Sequence, residues 1–408
     1  MPTFELFERK NTRMPTTNPT KPIAIVGAGA MGSGIAQVAA QAGYYVILLD
    51  SQQEALDRSH AALQKVAARQ VVKNRWSLDE SEAIQARIQR TAEFERVAEC
   101  DLVIEAIVED FGAKTDLFHF LEEHVKPSTI LASNTSSLSI TALAGTLRHP
   151  QRCIGLHFFN PAPLMALVEI VPALQTTLNV IEQCQSWLMD WNKSAVIAKD
   201  TPGFIVNRLA RPFYGEALRI AEEGDYGIHT IDAAMKGVGF RMGPFELMDL
   251  IGNDVNYAVT CSVFEAFYFD PRYQPSLIQK QHVDAGWLGK KTGKGYYTYS
   301  ADGVRKAEQV PVDLDHSAFE YVSNRILALL INEAADALRL KIAKEQDLET
   351  AMTHGVNYPK GLLKWSNDWG ISNVLSTLEN LQSTYGEDRY RPSPLLKKMA
   401  REGRAFDV

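Results

Sequence analysis

Short apolar runs alternate with amphipathic stretches through the first half of the chain. The runs are PIAIVG (22–27), YYVILLD (44–50), DLVIEAI (101–107), TILASNT (129–135), CIGLHFF (153–159), ALVEIV (166–171) and SAVIAKD (194–200), and β-branched residues dominate several of them. Strands of a parallel sheet are buried on both faces, so they read as continuous apolar runs. The pattern over 21–201 predicts a Rossmann-type α/β domain, a mostly parallel sheet with helices on both faces. After Thr201-Pro202-Gly203 the period changes. FIVNRLARPFYGEALRIAEE carries apolar residues at helical spacing, and the proline and glycine punctuate the boundary. A helical region is expected from 202 onward.

That region repeats itself. NRLARPFYGEAL (207–218) returns as NRILALLINEAADAL (324–338), with Asn207-Arg208 and Glu216-Ala217 each 117 residues before Asn324-Arg325 and Glu333-Ala334. Asp249-Leu-Ile-Gly252 corresponds, one residue out of register, to Asn367-Asp-Trp-Gly370, and Tyr273-Gln-Pro-Ser276 to Tyr390-Arg-Pro-Ser393. Ordered matches over this length point to duplication of an all-α domain. The expected organisation is a disordered leader (1–20), the Rossmann domain (21–201), a first helical repeat (202–300) and a second (301–408). The second copy lacks a counterpart of GKKTGKGYY and has no nucleotide-binding domain of its own. It is expected to act as a structural partner, making an intrachain pseudo-dimer in a monomer or homodimer.

Composition narrows the class. With 46% hydrophobic and 22% charged residues the chain is ordinary for a soluble protein, and no apolar run approaches a membrane span. A net charge of −7 argues against general nucleic-acid binding, so an anionic ligand must meet local basic clusters. Four cysteines show no CxxC or zinc-type spacing, which suits free thiols in a reducing, cytoplasmic compartment without a metal site. The first 20 residues lack the apolar core of a secretory signal, Glu5 and Glu8 are unlike a transit peptide, and Met14 is an alternative start.

Two constellations carry chemistry. Gly27-Ala-Gly29-Ala-Met31-Gly32 follows a predicted strand and opens a helix, and Asp50 stands 18 residues past Gly32 at the end of the next strand. That context makes the glycine motif a dinucleotide fingerprint. Gly27 permits the tight turn, Gly29 lets the pyrophosphate approach and Gly32 packs helix on strand. Asp50 is expected to hold the ribose hydroxyls and repel a 2′-phosphate, favouring NAD over NADP. The second constellation is a hairpin. If CIGLHFF and ALVEIV fold back around Pro163, His157 faces Glu169 directly. A histidine oriented by a carboxylate is a general base, and a satisfied structural histidine suits the same spacing. Ser133-Asn-Thr-Ser136-Ser137 lies where ligands bind a parallel sheet, or caps the following helix.

GAGAMGSGIAQVAA, DLVIEAIVED, SNTSSLSI, GLHFFNPAPLMALVEIV, DTPGFIVNRL, MGPFELMDLIG and GKKTGKGYY together resemble the L-3-hydroxyacyl-CoA dehydrogenases of β-oxidation. LIGNDVNYAVTCSVFEAF and ENLQSTYGEDRYRPS resemble the bacterial two-repeat form associated with 3-hydroxyadipyl-CoA or 3-hydroxybutyryl-CoA. The resemblance implies NAD-dependent oxidation of the C3 hydroxyl of an acyl-CoA thioester. It implies His157 as the base and Glu169 as its partner, with Ser136 and Asn207 holding the C3 oxygen. Glu109, Lys114, Ser136 and Asn160 match cofactor-site residues, with Met31 in the glycine loop. Lys65, Arg69 and Lys73, spaced by four on one predicted helix face with Arg75 beyond, are candidates for a CoA phosphate clamp or a solvated basic face. Two other readings stay open. One is an NAD(P)-dependent dehydrogenase of free hydroxy acids, separable by its indifference to CoA. The other is a non-catalytic NAD-binding structural protein, against which the set His157, Glu169 and Asn207 argues.

Overall fold

The computed structural model describes residues 22–306 and 316–408; the expected leader and Met14 lie outside them. The strands β1 (Ile23–Val26), β2 (Val46–Leu49), β3 (Ile88–Thr91), β4 (Leu102–Glu105), β5 (Ile130–Ser133), β6 (Cys153–Phe158), β7 (Leu167–Pro172) and β8 (Ser194–Ile197) form one sheet. Its order is β3-β2-β1-β4-β5-β6-β7-β8. Every neighbouring pair is parallel except β6 and β7. Each of the seven apolar runs contains a strand. The unforeseen β3, with sequence IQRT, sits at the sheet edge with only Ile88 buried, so it needs no apolar run.

Helices α1 (Ala30–Gln41), α2 (Gln53–Val72), α3 (Leu78–Ala86), α4 (Phe111–His124), α5 (Ile140–Ala144) and α6 (Leu178–Asp190) connect these strands. Side chains of β1 alternate between two cores: Ala24 and Val26 pack into one, Ile23 and Ile25 into the other. This follows from the period of two along a strand covered on both faces.

The chain beyond the sheet is helical: α7 (Val206–Leu209), α8 (Arg211–Glu223), α9 (Ile228–Gly237), α10 (Pro244–Ile251), α11 (Asn253–Ala266) and α12 (Leu277–Asp284), then α13 (His316–Arg339), α14 (Glu345–Thr350), α15 (Leu362–Trp369), α16 (Ile371–Tyr385) and α17 (Pro394–Glu402). No helix among the described residues is long and apolar enough to cross a membrane. Like-placed residues of 207–300 and 316–408 meet reciprocally. Arg208 Nε donates to Glu333 Oε1 at 2.5 Å, and Arg325 Nε donates to Glu216 Oε1 at 2.5 Å. Tyr273 Oη donates to Glu333 and Tyr390 Oη to Glu216, both at 2.6 Å. Arg272 and Arg389 approach the same two carboxylates at 3.4 and 3.9 Å. Residue i of one segment touching residue j of the other, and the reverse, is the signature of a two-fold contact.

Local architecture repeats too. Asp232 accepts the N–H groups of Phe245 and Glu246 at the start of α10, and Glu349 accepts those of Leu363 and Lys364 at the start of α15. The C-terminal segment also reaches the sheet. Lys199 N donates to Ile342 O at 2.8 Å, and Gly355 lies so close to Leu167 that a Cβ there would sit 2.5 Å from the leucine side chain. The loop containing Lys290, Lys291 and Lys294 folds back so that Tyr296 and Tyr297 N–H bond the buried Asp249. Two of its lysines are engaged, Lys291 with Asp254 and Lys294 over Trp287.

Candidate active site

The glycine loop turns sharply out of β1. Gly27 has φ +106°, and a Cβ there would lie 2.5 Å from the Ala106 carbonyl oxygen. A Cβ on Gly32 would collide with the Gly27 carbonyl, so close packing of α1 on β1 requires glycine. Gly29 caps α1 with no side-chain bond and open space before it, leaving first-turn N–H groups available to phosphate. Asp50, just past β2, accepts from Ala28 N at 2.8 Å and Gln52 N at 3.0 Å, which fixes its carboxylate beside the loop. A carboxylate has lone pairs to spare for ribose hydroxyls. These residues fit a dinucleotide.

The hairpin has the register expected: β6 and β7 pair antiparallel with His157 opposite Glu169. His157 Nδ1 and Glu169 Oε2 are 2.6 Å apart, the histidine nearly buried and the glutamate fully so. Glu169 Oε1 accepts Ile205 N at 3.0 Å and Val206 N at 2.9 Å. The tight turn Gly203-Phe204, both residues at positive φ, delivers those two N–H groups. The carboxylate is therefore held from both sides, and the imidazole ring is confined between Phe159 and Phe204 at centroid distances of 4.5 and 5.7 Å. Donation from Nδ1 to the carboxylate leaves the Nε2 lone pair as the free acceptor.

A second network sits at the C-terminal edges of β4 and β5. Lys114 from α4 is buried between Glu105 (2.5 Å) and Glu109 (3.3 Å). Glu105 also accepts Ser133 Oγ and Ile107 N. Glu109 Oε1 gathers Thr135 Oγ1 at 2.6 Å, Ser136 N at 3.0 Å and Ser137 Oγ at 2.9 Å. Burial pushes the Glu109 carboxyl up, but Thr135, Lys114, Ser137 and Ser136 outweigh it and hold it below the usual range. Sequence reasoning missed Glu105; Asn134, within the stretch expected to bind ligand, accepts Phe158 N through its Oδ1 and ties β5 to β6. A charged residue closing an otherwise apolar strand was the signal for Glu105, since buried glutamate needs a partner.

One cavity of about 510 Å³ joins these parts. Met31, Glu109, Lys114, Ser136, His157, Asn160 and Asn207 all line it. Lys65, Arg69, Lys73 and Arg75 do not. The first two lie on α2, Lys73 ends it, and all four are exposed, so the structure leaves them apart from the cavity. Asn324, which stands in the later segment where Asn207 stands in the earlier, lies in α13 outside the cavity lining. The far wall comes from the helical part, with Val206, Ala210, Ile251, Val255 and Val259, and Val356 from the later helical segment. All four cysteines are free; burial pushes Cys100, Cys153 and Cys184 up to about 12.

Comparison with known proteins agrees with this geometry. Residues 22–201 match the 3-hydroxyacyl-CoA dehydrogenase NAD binding domain, and residues 203–299 and 321–406 both match the C-terminal domain of that family. The chain is 39% identical to 3-hydroxyadipyl-CoA dehydrogenase of Escherichia coli, over 93% of this chain and 97% of that protein. It is 42% identical to the mitochondrial hydroxyacyl-coenzyme A dehydrogenase of Sus scrofa, over 68% of this chain and 91% of the other. The crystal structure of 3-hydroxybutyryl-CoA dehydrogenase from Escherichia coli superposes with a TM-score of 0.86 at 38% identity, covering 94% of this chain and 98% of that one.

Proposed function

We infer the reaction from family membership: this chain belongs to the 3-hydroxyacyl-CoA dehydrogenases. It is an oxidoreductase that binds NAD and oxidises the C3 hydroxyl of an L-3-hydroxyacyl-CoA to the 3-oxoacyl-CoA. NAD, when bound, supplies the hydride acceptor. The observation that carries the assignment of roles is the 2.6 Å contact of His157 Nδ1 with Glu169, itself pinned by Ile205 and Val206 N–H. His157 Nε2 takes the hydroxyl proton, and Glu169 stabilises the imidazolium that results. Asn207 and Ser136 hold the C3 oxygen as it becomes a carbonyl. Gly27, Gly29, Met31, Gly32 and Asp50 hold the adenosine and pyrophosphate half of the dinucleotide. Glu109, Lys114, Ser136 and Asn160 line the nicotinamide half. Lys65, Arg69 and Lys73 meet the CoA phosphates at the surface, a role their exposed charge supports.

The same reading assigns 21–201 as the NAD-binding domain, 202–300 as the helical substrate domain and 301–408 as its duplicated pseudo-partner, with one active site per chain. Reciprocal Arg–Glu and Tyr–Glu contacts support the duplication. The substrate is a short or medium acyl chain, of the type oxidised in β-oxidation, and the enzyme works in the cytoplasm. The test is NADH consumption with acetoacetyl-CoA, against free acetoacetate as control. Turnover only with the thioester is expected; equal turnover of the free acid would overturn the reading.

A further inference from the structure

Buried arginines in this chain come with carboxylates: Arg208 with Glu333, Arg325 with Glu216. Arg211 is the contrast. It is only 7% exposed and lines the cavity at the first turn of α8. Its Nε donates to the Asn207 carbonyl at 3.0 Å and its Nη1 to Thr260 Oγ1 at 3.2 Å. Among the described residues no carboxylate pairs with it; its guanidinium lies over the Tyr214 ring at 5.0 Å, and the Tyr214 and Tyr358 hydroxyls act on it electrostatically. Tyr358 Oη is itself buried with no hydrogen-bond partner among the described residues. Arginine does not give up its proton in a protein, so Arg211 is a buried cation lacking its counter-charge. The matching position of the second helical segment is Ala328, which carries no charge.

We propose that Arg211 is the carboxylate-binding end of the acyl subsite, and that the substrate is a dicarboxylyl-CoA whose terminal carboxylate pairs with this guanidinium. This rests on the hydroxyacyl-CoA reading above and deepens it. The aliphatic wall of Val206, Ala210, Ile251, Val255 and Val259 accommodates methylene groups between the reacting carbon and the anion. Arg211 follows Asn207 by four residues across the junction of α7 and α8, and its side chain reaches back to the Asn207 backbone carbonyl at 3.0 Å. In a six-carbon chain three bonds separate C3 from the terminal carboxyl carbon, a span of about 4 Å, as between consecutive Cα atoms. With the C3 oxygen held by Asn207, the carboxylate oxygens come within reach of the guanidinium. A monocarboxylyl chain of equal length leaves the cation unpaired, and sites built on a buried polar group discriminate strongly against ligands that lack its partner.

The test compares kcat/KM for 3-hydroxyadipyl-CoA and 3-hydroxyhexanoyl-CoA in the wild-type enzyme and in Arg211→Met. Calorimetric binding of adipyl-CoA and hexanoyl-CoA, which have no 3-hydroxyl, is measured alongside. The wild type is expected to favour the dicarboxylyl substrate by at least about 100-fold, and Arg211→Met to bring the ratio to one or below. A wild-type ratio near one, or a variant that lowers both substrates equally, overturns the proposal. Should Arg211→Met not fold, the wild-type binding ratio decides alone: preference for adipyl-CoA upholds the subsite and parity refutes it. Absence of turnover with both hydroxyacyl-CoAs despite selective adipyl-CoA binding would instead count against the dehydrogenase reading.

Discussion

Arg208 and Glu333, 125 residues apart in the chain, meet at 2.5 Å in a buried contact that Arg325 and Glu216 reproduce with the roles of the two helical segments exchanged. Burying such pairs contributes little net stability, but removing one partner strands the other charge. We predict that Glu333→Gln or Arg208→Met costs about 3–5 kcal/mol in urea denaturation. Replacing both with apolar residues is expected to recover much of that loss. Single variants within about 1 kcal/mol of wild type would show that the exchange does not hold the segments together.

The proposed duplication also predicts asymmetry of function. Asn207 lines the cavity and Asn324 does not. Asn207→Ala is expected to lower kcat markedly, Asn324→Ala to leave it within about twofold, and NADH to titrate at one site per chain. Equal losses in the two folded variants, or two nucleotide sites, would refute the pseudo-partner assignment.

Asp50 stands beside the glycine loop, with both oxygens tied to backbone N–H groups. A fixed carboxylate there repels a 2′-phosphate, so kcat/KM with NAD is expected to exceed that with NADP by about 100-fold or more, and Asp50→Ala to narrow the gap. Comparable efficiency with the two cofactors in the wild type would contradict this role.

Burial pushes the Asp232 carboxyl up to about 7, against hydrogen bonds from Tyr297, Phe245 and Glu246 that pull it down. Its ordinary value is 3.8, so between about pH 4 and 7 the folded chain holds a proton that the unfolded chain releases. The stabilisation is complete below about 4 and is lost as pH rises through 7. Measured against Asp232→Asn, wild-type stability should fall between about pH 4 and 7 by up to about 1.4 kcal/mol per pH unit and level off above 7. Parallel pH profiles of the two proteins would rule out this titration.

The hairpin register was legible because cross-strand partners around a tight turn follow from residue number alone, and His157 does face Glu169. The glycine loop was legible because φ and close packing admit few residues at Gly27 and Gly32. Other features depend on how distant segments meet. The repeated Asn-Arg and Glu-Ala pairs were visible, but nothing local says that Arg208 bonds the glutamate of the other copy. Strand β3 was missed because an edge strand tolerates Gln89 and Arg90. Arg211 reads as one more polar position on an amphipathic helix; only its burial without a counter-charge distinguishes it.

The most direct test of the account is the pre-steady-state rate of NADH formation by wild type and His157→Gln with a saturating L-3-hydroxyacyl-CoA, alongside the Kd for NADH. With Glu169 pinned by Ile205 and Val206 and Nε2 of His157 free for the substrate, the account predicts a fall of at least about 100-fold in the rate, with NADH affinity unchanged within about twofold. A His157→Gln enzyme that forms NADH at the wild-type rate would contradict it.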